Sequence, residues 1–130
     1  MSADLAVTGA VTGGPRWILR LEGAALAIGA AFFFWLGHGS WLLFALLFFT
    51  PDLSFLAYLV SPRIGAFAYN LVHTTLAPLV LLGLSSLLVH PLGQSIALIW
   101  LAHIGADRAL GYGLKYATAF GDTHLGHIGR

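Results

Sequence analysis

Apolar residues run along this chain in four long blocks, each separated from the next by a few Gly, Pro, Ser or His residues. No Asp, Glu, Lys or Arg occurs in residues 23–51 or in residues 64–106. A helix needs about 20 apolar residues to cross about 30 Å of hydrocarbon, so the pattern predicts spans at 17–36, 41–60, 64–89 and 94–115. Gly37-His38-Gly39-Ser40, Ser61-Pro62-Arg63 and His90-Pro91-Leu92-Gly93 read as the turns between them. Backbone groups in lipid must be satisfied within their own segment, and the alternating pattern of a membrane β-barrel is absent. The expected fold is therefore all-α and integral to the membrane: an antiparallel four-helix transmembrane bundle with short hairpin loops.

Residues 1–16 read as a flexible leader. They are not expected to be a signal peptide, because Arg16 and Arg20 sit directly against the first span and no cleavage pattern follows it. Residues 117–130 read as a tail, either folded back as a lid over the cytoplasmic mouth or disordered at its end.

Composition narrows the function classes. The 130 residues are 58% hydrophobic and 8% charged, against about 25% charged in soluble domains. A net charge of +1 offers no basic surface for nucleic acid, and the absence of cysteine removes disulfides, thiol catalysis and Cys-ligated metals. The partners expected are membrane lipids and a second copy of the chain, since small pairs such as Ala25/Gly29 and Gly105/Ala109 permit close helix contacts.

Basic residues set the orientation. Arg16 and Arg20 precede span one, Arg63 lies between spans two and three, and Lys115 and Arg130 follow span four, while the other two loops carry none. The positive-inside rule then places both termini in the cytoplasm of a bacterial inner membrane. His38 and His90 become outer-loop residues.

With that topology, depths follow from a rise of about 1.5 Å per residue: Glu22 at about 8 Å, Asp52 and Asp107 at about 12 Å, His73 at about 14 Å and His103 at about 18 Å. Every span contributes to one polar layer in the cytoplasmic half, with Asn70, Thr74 and Arg108 beside it. His103 and Asp107 share a helix face at a spacing of four, and Asn70, His73 and Thr74 do the same at three and four. Pro51, just before Asp52, is expected to kink span two, and Pro78 to free the Thr74 carbonyl beside His73.

The strings Thr50-Pro51-Asp52-Leu53-Ser54, Asn70-Leu71-Val72-His73-Thr74, Ala102-His103-Ile104-Gly105-Ala106-Asp107-Arg108, Gly111-Tyr112-Gly113-Leu114-Lys115-Tyr116 and Thr123-His124-Leu125-Gly126 carry a resemblance. From Trp17 onward the chain resembles a bacterial membrane family described as domain of unknown function 4260. That resemblance implies relatives and no particular activity. The order Pro-Asp, His-Thr, His-x-x-x-Asp is also similar to a separate family of inner-membrane metal-dependent hydrolases, although Asp-Leu-Ser stands where that family tends to carry a second acidic residue.

Three readings of the polar layer stand side by side. The first is a structural hydrogen-bond and ion-pair network that holds the helices together. The second is a metal site for Zn, Mn or Fe built from Asp52, His73, His103 and Asp107, with Glu22 or Asp52 as general base for ester or phosphoester hydrolysis. Asn70, Thr74, Arg108 and His124 would support it. The third is proton or ion handling by an oligomer. A haem between His73 and His103 is a minor variant of the second.

Overall fold

The computed structural model describes residues 9–128, which are mostly helical. Helix α1 spans Gly13–Leu36 and α2 spans Trp41–Leu47; a 3₁₀ segment, Thr50–Leu59, follows. Then come α3 (Pro62–His73), α4 (Leu76–Leu87) and α5 (Pro91–Ala109), and a two-residue hairpin of β1 (Asp122–Thr123) and β2 (Gly126–His127).

The turn residues that break the apolar blocks also start the next helices. Ser40 Oγ accepts the Leu43 amide, Ser61 Oγ the Ile64 amide, and His90 Nδ1 the Gly93 amide, each satisfying a donor that a helix start leaves unpaired. Pro62 and Pro91 take the first helical position, where the missing N–H costs nothing.

Three stretches, Gly13–Leu36, Trp41–Leu59 and Pro62–Leu87, are long and apolar enough to cross a membrane. The expected count of four such helices is not reproduced. The fourth, α5, carries Gln94, His103, Asp107 and Arg108, and it lies at the centre of the fold with Ile99, Leu101, His103 and Ile104 all buried. A helix wrapped by α1, α4 and α2 meets protein on most sides, so it does not need a lipid-like sequence all round.

The other differences have local causes. Span two changes from α to 3₁₀ geometry at Thr50-Pro51, and span three breaks at Thr74, which is extended (φ −75°, ψ 147°). Pro78 falls in the first turn of α4 and is buried. Of the leader, residues 1–8 lie outside the described residues, but Gly13–Arg16 already belong to α1, and Tyr116 Oη donates to the Gly9 carbonyl at 2.9 Å. Arg130 also lies outside the described residues.

Helices α1 and α5 touch backbone to backbone. A Cβ on Gly105 would come within 2.5 Å of the Ala27 nitrogen and 2.6 Å of the Gly23 carbonyl oxygen, and one on Gly23 within 2.9 Å of the Gly105 oxygen. Gly105, expected as a contact between copies, is therefore used within one chain. Gly29 is open, with nothing within 4 Å.

Residues 111–128 fold back against α3 and the start of α1. Asn70 clamps them through Nδ2 to the Lys115 carbonyl (2.8 Å) and Oδ1 from the Lys115 amide (2.6 Å). Arg16 Nε donates to the Leu125 carbonyl at 2.6 Å, and the Val11 amide to the His124 carbonyl at 2.8 Å. Leu125 and Thr123 are fully buried. Of the two alternatives for the tail, the described part is the folded-back one.

Candidate metal centre

Asp52, His73, His103 and Asp107 converge, each offering one ligand atom, with all four atoms within 4.8 Å of one another. His103 Nε2 lies 3.1 Å from Asp52 Oδ1, 3.2 Å from Asp107 Oδ2 and 3.2 Å from His73 Nε2. His73 Nε2 lies 3.4 Å from both carboxylate oxygens. Three elements supply the set: the first turn of the 3₁₀ segment, the last residue of α3, and one face of α5.

The broken third span is what presents His73. Ending α3 there leaves the Val72 and His73 carbonyls without their usual partners four residues on. α5 supplies replacements: Trp100 Nε1 donates to Val72 O at 2.6 Å and Arg108 Nη2 to His73 O at 3.4 Å. Pro78 was expected to free the Thr74 carbonyl; the carbonyls capped from α5 are those of Val72 and His73.

Proton positions follow from the acceptors. A carbonyl only accepts, so the 2.9 Å contact from His73 Nδ1 to Tyr69 O puts a hydrogen on Nδ1. In neutral His73 the Nε2 lone pair then faces the centre, which is the tautomer that ligates a metal. His103 Nδ1 is buried with no hydrogen-bond partner, so the polar contacts of that ring run through Nε2. A hydrogen on His103 Nε2 cannot serve His73 Nε2 and two carboxylates at once.

Tyr69 is the residue that sequence reasoning missed. Its ring stacks on His73 (centroids 3.6 Å apart, planes 7°), its carbonyl orients His73, and its hydroxyl donates to Asp107 Oδ2 at 3.4 Å. Phe55 stacks on its ring at 5.4 Å. Lys115 Nζ sits 4.8 Å from the Tyr69 ring and 3.8 Å from that of Phe120, and donates to the Phe120 carbonyl at 2.7 Å. Expected as a topology marker in water, Lys115 is buried instead. Burial holds its ammonium down at about 8, with Asp107 and Asp52 pulling the other way.

The remaining expectations separate cleanly. Glu22 is exposed on α1, one residue from the Gly23 contact and so rotated about 100° away from α5. It lies outside the cluster and is not placed to act there as a base. Asn70 serves the tail, Thr74 Oγ1 accepts the Leu76 amide at 3.4 Å, and Arg108 reaches the site only through the His73 carbonyl. His124 Nδ1 accepts the Leu114 amide at 2.8 Å; burial, followed by the Arg108 charge, lowers its pKa.

No curated protein and no solved structure matches the chain. The family described as Domain of unknown function (DUF4260) matches residues 16–128. The length of that match, which takes in every residue of the His/Asp cluster, means that the chain belongs to the DUF4260 family.

Proposed function

We propose that this is a multi-pass membrane protein that holds one divalent transition metal ion, zinc being the best fit, between Asp52, His73, His103 and Asp107. One observation carries the reading: five of the six ligand-to-ligand separations fall between 3.1 and 3.4 Å. A regular tetrahedron with metal bonds of about 2.0–2.1 Å has edges of about 3.3–3.4 Å. Two carboxylates and two neutral imidazoles around a divalent ion also sum to zero charge, which suits a site whose histidines are buried.

Four protein ligands are the pattern of a site that retains its metal; catalytic zinc sites usually have three and an open position. The centre would pin the 3₁₀ segment and the end of α3 to α5. Asp52, 30% exposed against 2–17% for the others at the site, is the ligand most open to a second molecule.

Four crossings, with residues 9–16 and 111–128 on the cytoplasmic side, are part of the same proposal. Hydrogen bonds from Tyr116 to Gly9 and from Val11 to His124 support an even number of crossings, with α5 as the fourth. The loop charges support the orientation.

Purified protein should hold about one zinc, manganese or iron per chain, and chelation should lower its melting temperature. Metal-free protein whose stability ignores both chelator and added metal would overturn the proposal and return the cluster to the hydrogen-bond network.

A further inference from the structure

Lys115 is a buried cation beside the centre. Asn70 holds its backbone through two hydrogen bonds, and the residue is only 4% exposed. Its ammonium has three hydrogens to place. One goes to the Phe120 carbonyl at 2.7 Å, and the ring centroids of Phe120 and Tyr69 lie 3.8 and 4.8 Å away. Among the described residues no carboxylate forms an ion pair with it, and Asp122, the acid of the tail, bonds His127 and Thr118. Tyr69 bridges it to the centre, because the ring beside the ammonium carries the hydroxyl that donates to Asp107.

The charges around the centre balance without a metal. Asp52 and Asp107 contribute two negative charges; Arg108, at the His73 carbonyl, and Lys115 contribute two positive ones. The other titratable neighbours of Lys115 and its lid are neutral: Tyr58 and Tyr69 as phenols, and His124 through burial. A divalent ion cancels the two carboxylates and leaves Arg108 and Lys115 without a counter-charge, which is costly away from water. Only one of them can yield. A guanidinium keeps its proton, whereas a buried ammonium loses it readily. Burial already holds Lys115 down at about 8, and Asp107 and Asp52 are what pull it back up. A metal on those carboxylates removes the pull.

We infer that Lys115 is an internal counter-cation of the centre: its ammonium and the metal exclude each other, and metal uptake expels one proton from Lys115 Nζ to solvent. The inference rests on the metal proposal and leaves its ligand set unchanged. It makes metal affinity depend on the charge at residue 115, and so on the tail that carries it.

The test is a competition titration of the full chain in detergent, with zinc and a chelating indicator, at pH 7 and pH 9. Wild type, Lys115→Met and Lys115→Arg are compared. Expelling a proton at one pH unit below its pKa costs about tenfold in affinity. Lys115→Met should therefore bind zinc about tenfold more tightly than wild type at pH 7, and equally at pH 9, where wild-type Lys115 is already mostly neutral. Lys115→Arg cannot shed its charge and should fall at least tenfold behind wild type at pH 9. In weakly buffered solution at pH 7, zinc should release most of one proton more from wild type than from Lys115→Met. If Lys115→Met also loosens the tail, the same gain is expected, since the charge is gone from the centre either way. A Lys115→Met protein that binds zinc no more tightly than wild type at pH 7, a gain that persists at pH 9, or equal proton release from the two would each overturn the inference. Wild type that takes up no zinc, manganese or iron fails the metal proposal and this one together; metal binding indifferent to residue 115 fails this one alone.

Discussion

Replacing Asp107 by Asn tests the centre with the least change of shape. The side chain keeps its size and an oxygen near the position 3.2 Å from His103 Nε2 and 3.4 Å from His73 Nε2. What changes is charge: the metal-loaded site goes from zero to +1, with the cationic Arg108 and Lys115 already close by. Leaving a buried charge without its partner costs about 3–5 kcal/mol, which corresponds to a loss of metal affinity of roughly two to three and a half orders of magnitude. The assay is competition with a chelating indicator of known affinity, run beside thermal unfolding. Metal at about 100 times its Kd stabilises wild type by about 2.7 kcal/mol; the variant at the same metal concentration should lose most of that. The reasoning is refuted if Asp107→Asn binds metal within about threefold of wild type. It is also refuted if the two proteins melt together with metal and differ only without it, the pattern expected of a network that needs the carboxylate as a hydrogen-bond acceptor.

Tyr69→Leu removes the stacking surface for His73 and should weaken metal binding by roughly 10- to 100-fold, whereas Tyr69→Phe loses only a 3.4 Å contact and should stay within a few-fold in the same competition assay. Gly105→Ala drives a methyl into the Ala27 and Gly23 backbone and should destabilise by about 1–3 kcal/mol, read by thermal unfolding. Asn70→Leu should release the tail and bring earlier protease cleavage between residues 111 and 128, with the metal retained. The tail should also dock more tightly as pH rises. His124 has a lowered folded pKa, so below pH 6.5 the unfolded chain binds more protons and stability falls with acid; Lys115, held at about 8 against 10.5, adds stability only as pH rises from about 8 towards 10.5. Protection of the Leu114 and Lys115 amides, measured relative to their intrinsic exchange rates, that is flat over both windows would contradict this. With no cysteine in the chain, single Cys variants at His38, Arg63, Leu92 and Ala117 should react with an impermeant thiol reagent from outside only at positions 38 and 92.

The cluster was legible in the sequence because charge is so scarce there. His103 and Asp107 announce a shared face by their spacing, and counting residues from the predicted span ends brings Asp52 and His73 to similar depth. Pro51 marked where span two loses regular α geometry, whereas span three breaks at Thr74, four residues before Pro78, which lies in the first turn of α4. Tyr69 was not legible, since a tyrosine among apolar residues also reads as packing. Its position four residues before His73 was the one available signal, and its weight comes from a ring stack and a carbonyl that only coordinates reveal. Lys115 misled for a related reason. Past the end of a span a lysine reads as a solvated charge, and only the fold of residues 116–123 closes a lid over it. Glu22 looked like part of the layer because depth was estimated without helix rotation.

Synthesis order gives the contacts between residues 9–16 and 111–128 a further meaning. Arg16 and Val11 emerge first, yet their partners at Leu125 and His124 appear only after every helix has been made. His103 and Asp107 also arrive late, half of the ligand set within the last helix. Until then His73 ends a helix whose last carbonyls lack Trp100 and Arg108. On the proposed reading, insertion of the early helices precedes loading of the centre. A chain stalled before α5 would have the Val72 and His73 carbonyls uncapped and only half of the cluster made.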